Sequence, residues 1–413
     1  MGVASAPRTP HRRHARHAPN DTMSTTRVTS RLRPFGESIF TTMSRLAVQH
    51  KAVNLGQGFP DFDGPAFAKD AAKAAIDAGF GQYARAFGLP DTNAAIARFA
   101  ARSLGYSPDP DTEVTVTAGC TEAIAAVLLG LIEPGDEVIL LDPCYDSYPA
   151  CVAMAGGVAV RIRLEAPHFR IEADTLRRAC SARTRAILVN SPHNPTGRML
   201  DAAEMRAVAD VAAERNLVVL SDEVYEMITY AGPHRSISSL PGMRERTIVM
   251  SSLGKTFSLT GWKIGWTIAP ADLTAAVRAS HQFLTFCAAT PLQKAAAIAL
   301  DAMRTDDSYL RQLASEYSAR RSLLLDELSK AGFRCIAPEG SYFILADVTE
   351  RGFADDVDAC RAMVAEAGVA AIPASAFYDP AHADRRYARF AFCKRDETIR
   401  AAGQRLAAWR RPC

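Results

Sequence analysis

Between residues 110 and 270 the chain alternates short apolar, β-branched runs with longer stretches whose apolar residues recur at helical spacing. The short runs predict strands at Val114–Thr117, 138–141, Val158–Arg163, 186–190, 218–221, 248–251 and 264–269. Ala-rich helices are predicted between several of them, at 122–132 and Ala202–Arg215. Strand–helix alternation of this kind implies a largely parallel sheet with helices on both faces. The strands lack polar alternation, as sheets covered on both sides require.

After residue 300 the texture changes. Leu310, Leu313, Tyr317, Leu324 and Leu328 fall at helical spacings, and Gly332 is placed to stop that helix. A strand at 341–348, a helix from about residue 354, strands at 369–372 and 387–392 and a final helix are predicted to follow. This reads as a second, smaller α+β domain, which the length of 413 residues also favours. No internal repeat, G-x-G-x-x-G or Walker A loop is present.

Composition narrows the function classes. A formal net charge of +3 gives no general reason to expect nucleic acid or an anionic membrane as a partner. The longest apolar run, 123–132, is well short of the ~18 residues a membrane helix needs. Nine scattered cysteines with no C-x-x-C argue against a disulfide framework or a zinc site and fit a reducing compartment, hence the cytoplasm. Residues 1–26 differ, with Arg8, Arg12, Arg13 and Arg16 among His11, His14 and His17. They read as a disordered basic tail, or as untranslated sequence ahead of a start at Met23. Metal binding, nucleic-acid binding and a transit peptide are the other readings of that composition.

Ligands of parallel sheets sit at the carboxyl ends of strands. Four segments place chemistry there. Residues 116–121, Val-Thr-Ala-Gly-Cys-Thr, run from a strand through Gly119 into a helix start, where the amides of Cys120 and Thr121 suit an anion. The alternative is an ordinary turn with Thr121 as cap. Residues 190–197, Asn-Ser-Pro-His-Asn-Pro-Thr-Gly, form a turn-rich loop in which an Asn amide can hold a ligand hydroxyl. Asp222 ends an apolar strand, where a carboxylate needs a cationic partner or must cap the next helix, and Tyr225 follows as a phenol donor. Lys255 follows another strand among small and apolar neighbours, where burial lowers an ammonium pKa and makes the amine a nucleophile. Ser252 and Lys263 flank it as phosphate contacts. Together these supply an aldehyde trap, a counter-ion for a ring nitrogen and a phosphate anchor, the set that pyridoxal phosphate needs.

The order Asn194-Pro195-x-Gly197, Asp222-x-x-Tyr225 and Ser252-x-x-Lys255 with a downstream Lys263 resembles class I aminotransferases of fold type I, over residues 39–409. Residues 54–62, Asp142-Pro143-x-Tyr145-Asp146, Leu253-Gly254-Lys255-Thr256 and residues 370–373 resemble the kynurenine/glutamine aminotransferase branch, and residues 282–286 look closest to bacterial methionine aminotransferases. The resemblance implies an α/β fold with a large, mostly parallel sheet domain and a smaller α+β domain. The corresponding division is a tail at 1–27, an N-terminal arm and part of the small domain at 28–65, the large cofactor domain at 66–300 and the small domain at 301–413.

By the same resemblance, Lys255 would bind the pyridoxal phosphate aldehyde and move the substrate proton. Asp222 would hold the ring nitrogen, Tyr225 and Asn194 the ring hydroxyl, and Tyr145 would stack on the ring. Ser252, Lys263, Gly119, Cys120 and Thr121 would hold the phosphate. Tyr83 would reach the site of a neighbouring copy in a homodimer. Arg389 would take the substrate carboxylate, its planar fork suiting a bidentate contact, with Gly58 adding a backbone contact. Phe40, Tyr83, Tyr145 and Phe286 would line a pocket for methionine and other large apolar or aromatic donors, or glutamine, in a ping-pong transfer to a 2-oxo acid. Arg85 is a weak candidate for a second carboxylate anchor. Two positions depart from the branch: Cys287 stands where kynurenine aminotransferases place a histidine, and Cys120 where a tyrosine is common. The rival readings are a kynurenine aminotransferase, a cysteine-conjugate β-lyase on the same cofactor, and a cofactor-sensing transcription factor. The last needs a DNA-binding domain of ~60 residues, which residues 1–38 do not supply.

Overall fold

The computed structural model describes residues 1–2, 27–353 and 355–409. The basic segment at 3–26, the Met23 start and the predicted helix onset at residue 354 lie outside the described residues.

Seven strands form the large sheet in the spatial order Val114–Thr117, Gly265–Ile268, Thr247–Ser252, Val218–Asp222, Thr184–Asn190, Glu137–Asp142, Val158–Arg163. Gly265–Ile268 runs antiparallel to both its neighbours, and the other pairs are parallel. Six strands therefore end at one edge, and the seventh starts there. The inner strands are buried along nearly all their length, Arg185 and Val218 at their starts excepted, and Val158–Arg163, at the border, is only partly covered. This is why the sequence shows uninterrupted apolar runs rather than alternation. The strands and helices lie within two residues of the predicted ends. Ala202–Arg215 starts where expected because Asp201 and Glu204 close a capping box.

The C-terminal lobe carries a four-stranded antiparallel sheet in the order Ile372–Pro373, Tyr387–Ala391, Phe343–Asp347, Arg334–Ile336. Helices Ser308–Lys330 and Asp396–Ala408 pack against each other beside it. The single strand predicted at 369–372 is two. Val369–Ala370 pairs in parallel with Val53–Asn54, and after Ala371 the chain changes sheets, so that Ile372–Pro373 pairs with Tyr387–Ala391. Its small apolar residues suit either sheet, and Pro373, with no amide hydrogen, sits on a border strand. Arg334–Ile336 and Val53–Asn54 are too short to stand out in the sequence. One apolar core runs unbroken from Ile124, Leu188 and Leu220 behind the large sheet to Tyr317, Phe343 and Ile399 in the C-terminal lobe. Among the described residues no helix is long and apolar enough to cross a membrane.

The sheet is tightest beside the turn that follows Thr117. A Cβ on Gly265 would lie 2.5 Å from the Gly119 carbonyl carbon and 2.7 Å from the Cys120 amide nitrogen. Gly265→Ala must push that turn away from its neighbouring strand, at a cost of about 1–3 kcal/mol. A lowered Tm in thermal unfolding is expected, and an unchanged Tm would show that the turn moves freely.

Candidate active site

The edge where six strands end borders a cavity of about 430 Å³, within the range of small-ligand sites. Its wall includes Phe40, Gly58, Gly119, Cys120, Thr121, Tyr145, Asn194, Asp222, Tyr225, Ser252, Lys255, Lys263 and Arg389. Each predicted site residue except Tyr83 and Phe286 thus converges on one space.

At one end Gly119 turns with φ +79°, and the helix Cys120–Leu131 begins. The first amides of a helix have no partner within it and point outward. Lys263 leans over this turn, with its Nζ 3.1 Å from where a Gly119 Cβ would lie. Ser252, which precedes the short helix Leu253–Thr256, closes the same end. Amides, a hydroxyl and an ammonium make an anion cradle.

Asp222 lies across from it, buried at the end of its strand. Its Oδ2 accepts from the Tyr148 hydroxyl at 2.6 Å, and its Oδ1 from the Val224 amide at 3.2 Å, with the Cys120 thiol 3.8 Å away. Burial raises the carboxyl above its ordinary range, and these donors pull it back. The next residue, Glu223, points the other way. It accepts from Ser221 and Ser236 at 2.7 Å and lies 2.8 Å from the His234 ring nitrogen, in a buried network behind the strand. Strand alternation thus separates one carboxylate for the cavity from one for the scaffold.

Lys255 has its Nζ 5.7 Å from the ring centres of both Tyr225 and Tyr342, and 3.5 Å from the Gly58 carbonyl oxygen. Burial lowers its ammonium pKa, which raises the fraction present as a nucleophilic amine. Burial also raises the Tyr225 phenol far above the ordinary value, so it stays protonated as a donor. Burial pushes the Tyr145 phenol up to about 12.

Arg389 is 1% exposed, yet forms no ion pair with any described residue. Its Nη1 donates to Asn194 Oδ1 at 2.8 Å and its Nη2 to the Gly56 carbonyl at 2.7 Å, while the buried Nε has no partner. Phe343, Phe377 and Phe40 surround the guanidinium at 4.0, 4.9 and 5.2 Å. Burial lowers its pKa to about 10, which leaves it charged at neutral pH. A buried cation without a counter-ion invites an anion. Nothing about a short strand in the second lobe marks this in the sequence.

Tyr83 and Phe286 do not line the cavity of their own chain. They are 84% and 47% exposed and pack edge to face at 5.3 Å on the surface. Arg85 is also elsewhere, paired with Asp111 and stacked on Phe87. Gly58 is in the cavity, but its carbonyl accepts from the Tyr342 hydroxyl at 2.6 Å. Tyr148, Phe343 and Phe377 carry no expectation from the sequence, while Asn190 opens the loop expected to supply an Asn amide. Tyr148 is on the helix Ser147–Met154, and its ring packs edge to face on Tyr145 at 5.7 Å.

The set fits a planar ligand with a phosphate at one end, a ring cation at Asp222 and a carbonyl at Lys255, beside a carboxylate at Arg389. The family model for class I and II aminotransferases matches residues 50–406. A probable N-succinyldiaminopimelate aminotransferase of Mycobacterium tuberculosis is 47% identical over 92% of this chain and 97% of its own. The solved structure of an N-succinyldiaminopimelate aminotransferase from that organism superposes with a TM-score of 0.89, covering 92% of this chain and 99% of that one. The methionine aminotransferase of Escherichia coli is 41% identical over 91% of this chain and 97% of its own. A kynurenine–oxoglutarate transaminase of Dictyostelium discoideum is 37% identical over 90% and 94%.

Removing the Tyr148 hydroxyl leaves the buried Asp222 carboxylate one donor short, a loss of about 1–3 kcal/mol. Tyr148→Phe is expected to unfold at lower urea concentration when freed of small ligands. An unmoved midpoint would show that Asp222 does not depend on the phenol.

Proposed function

This chain belongs to the class I and II aminotransferases, and from that premise we propose that it moves the amino group of an L-amino acid with a methionine-like, aromatic or glutamine side chain to a 2-oxo acid, in a ping-pong reaction on pyridoxal phosphate. Members of the family depend on that cofactor in general. When bound, it supplies an electron sink for the bond broken at the substrate Cα.

The residues here suit it. Ser252, Lys263 and the turn Gly119–Cys120–Thr121 would hold the phosphate, and Tyr145 would cover the ring. Asp222 would face the ring nitrogen as a hydrogen-bonded carboxylate, and Tyr225 and Asn194 would face the ring hydroxyl. The Lys255 amine would hold the cofactor at its carbonyl and, from the same position, would move the proton at the substrate Cα. Arg389 would bind the α-carboxylate of donor and acceptor alike, because a 2-oxo acid keeps that group. Gly56 and Asn194 already fix the guanidinium, so little ordering remains to be lost on binding.

The observation that carries the reading is the unpaired Arg389 in the same cavity as Lys255. The donor class rests on the rest of the wall. Phe40, Phe59, Tyr145 and Phe343 present apolar surface, and no second arginine lines the cavity among the described residues. A donor with distal carboxylates, as the name of the mycobacterial relative implies for that protein, needs another anchor. Arg45 lines the adjoining groove with Phe40 and Gln57, but its guanidinium is tied to Glu37.

The active unit in this reading is a homodimer. Tyr83, Phe283 and Phe286 leave an apolar patch exposed, and Tyr83 of the partner subunit would complete the phosphate site. The eight described cysteines are free, which supports a cytoplasmic location. The small cavity, with Lys263 and Arg389 in its wall, supports amino acids and 2-oxo acids, which both carry a carboxylate, as its partners.

Lys255→Ala is expected to abolish transamination while leaving the dimer folded, as checked by activity and size-exclusion chromatography. Arg389→Ala is expected to raise KM for L-methionine about 30-fold or more, the scale for losing one partner of a buried charge pair. Substantial turnover in the first variant, or an unchanged KM in the second, would overturn these roles. Faster wild-type turnover with aspartate than with methionine would overturn the donor class.

A further inference from the structure

We propose that the buried carboxylates of Asp142 and Asp356 are positioning residues for the substrate-carboxylate site, acting on the turn Ala374–Phe377 whose phenyl ring packs against the Arg389 guanidinium. The inference rests on the reading of Arg389 as the carboxylate anchor.

With no ion pair among the described residues, Arg389 takes its orientation from two hydrogen bonds and three aromatic rings. Phe343 belongs to the strand paired beside Arg389, and Phe40 to the N-terminal helix Ile39–Gln49. Phe377 belongs to neither and is held by a separate device. It packs edge to face on Phe40 at 5.8 Å, so its placement sets two of the three rings.

Asp142 holds one side of the turn. It ends a strand of the large sheet three residues before Tyr145, and it is fully buried. Its Oδ1 accepts from Arg161 Nε at 2.8 Å, and Arg161 Nη2 reaches on to the Phe377 carbonyl at 3.2 Å. The Cys144 amide donates to that same carbonyl at 2.7 Å. The Oδ2 of Asp142 accepts from the Asp379 amide at 2.8 Å and lies 2.9 Å from the His382 ring nitrogen Nε2.

Asp356 holds the other side. It opens the helix Asp356–Ala362 of the C-terminal lobe and accepts from the Ser375 amide at 2.7 Å and the Ser375 hydroxyl at 2.9 Å. The turn is thus suspended between a carboxylate of the cofactor sheet and one of the lobe that carries Arg389. Buried carboxylates are poor contributors to stability compared with apolar packing. Two of them converging on one turn fix a position, and the residue they position touches the anchor.

His382 and Ser375 are partly exposed and can be changed without opening the core. His382→Ala and Ser375→Ala each remove donors from one carboxylate. KM for L-methionine and for the 2-oxo acid is expected to rise about three- to tenfold in each, with kcat within about twofold. The cofactor dissociation constant, read by visible absorbance, should stay as in the parent protein. Each variant also takes one donor from a buried carboxylate, so Tm is expected to fall modestly, and His382→Gln, which keeps a donor, should recover most of both losses. A KM that stays at the parent value while Tm falls, or a KM rise matched by an equal loss of cofactor affinity, would overturn the proposal in favour of a structural role. If Arg389→Ala raises KM while neither variant does, the brace fails and the anchor stands. If Arg389→Ala also leaves KM unchanged, both fall together.

Discussion

The molecule depends on holding three ionisable groups, Asp222, Lys255 and Arg389, in the wall of one cavity without pairing them to one another. Each would be costly there alone. Backbone and side-chain donors around Asp222, a carbonyl beside Lys255, and an amide oxygen, a carbonyl and aromatic faces around Arg389 make them tolerable. Burial shifts each toward its neutral form. The interactions left unmade inside the protein are those a ligand makes: a ring cation for Asp222, a carbonyl for Lys255, a carboxylate for Arg389.

The fold serves that requirement through direction. Six strands deliver their carboxyl ends to one edge, and the antiparallel strand Gly265–Ile268 delivers Lys263 to the same edge by running the other way. Arg389 comes from a different sheet, so the two lobes must be fixed against each other to within a hydrogen bond. The continuous apolar core supplies most of that. The bond from Arg389 to Asn194, and the Asp142–Arg161 pair whose guanidinium reaches the Phe377 carbonyl, add hydrogen bonds between the lobes.

What could be read in the sequence follows the same geometry. Residues within a few positions of a strand's end, such as Asn194, Asp222, Tyr225 and Lys255, share a place because parallel strands do, so a local pattern predicts a three-dimensional cluster. Arg389 has no such local signal and was found by family resemblance. Of its aromatic surroundings the resemblance supplies Phe40, while Phe343 and Phe377 come from two further distant segments with no local signal. Tyr148 lines the cavity and donates to Asp222, and a tyrosine next to the more familiar Tyr145 carries no separate sequence signal for that role. Phe286 and Tyr83 were assigned to the pocket by resemblance, and both lie outside the cavity of their own chain, at a surface patch that only a second copy would bring to a site. The strand at 369–372 was read as one because periodicity cannot show a change of sheets at Ala371.

The most direct test of the account is the visible absorption spectrum of the purified protein with added pyridoxal phosphate, before and after L-methionine is supplied without any 2-oxo acid. The account predicts a band of protein-bound cofactor that bleaches on addition of the amino acid and returns when a 2-oxo acid follows. A band that does not respond to methionine but responds to another amino acid would move the donor class and leave the chemistry standing. Absence of any protein-bound band would contradict the central claim that Lys255, Asp222 and the turn at Gly119 form a pyridoxal phosphate site.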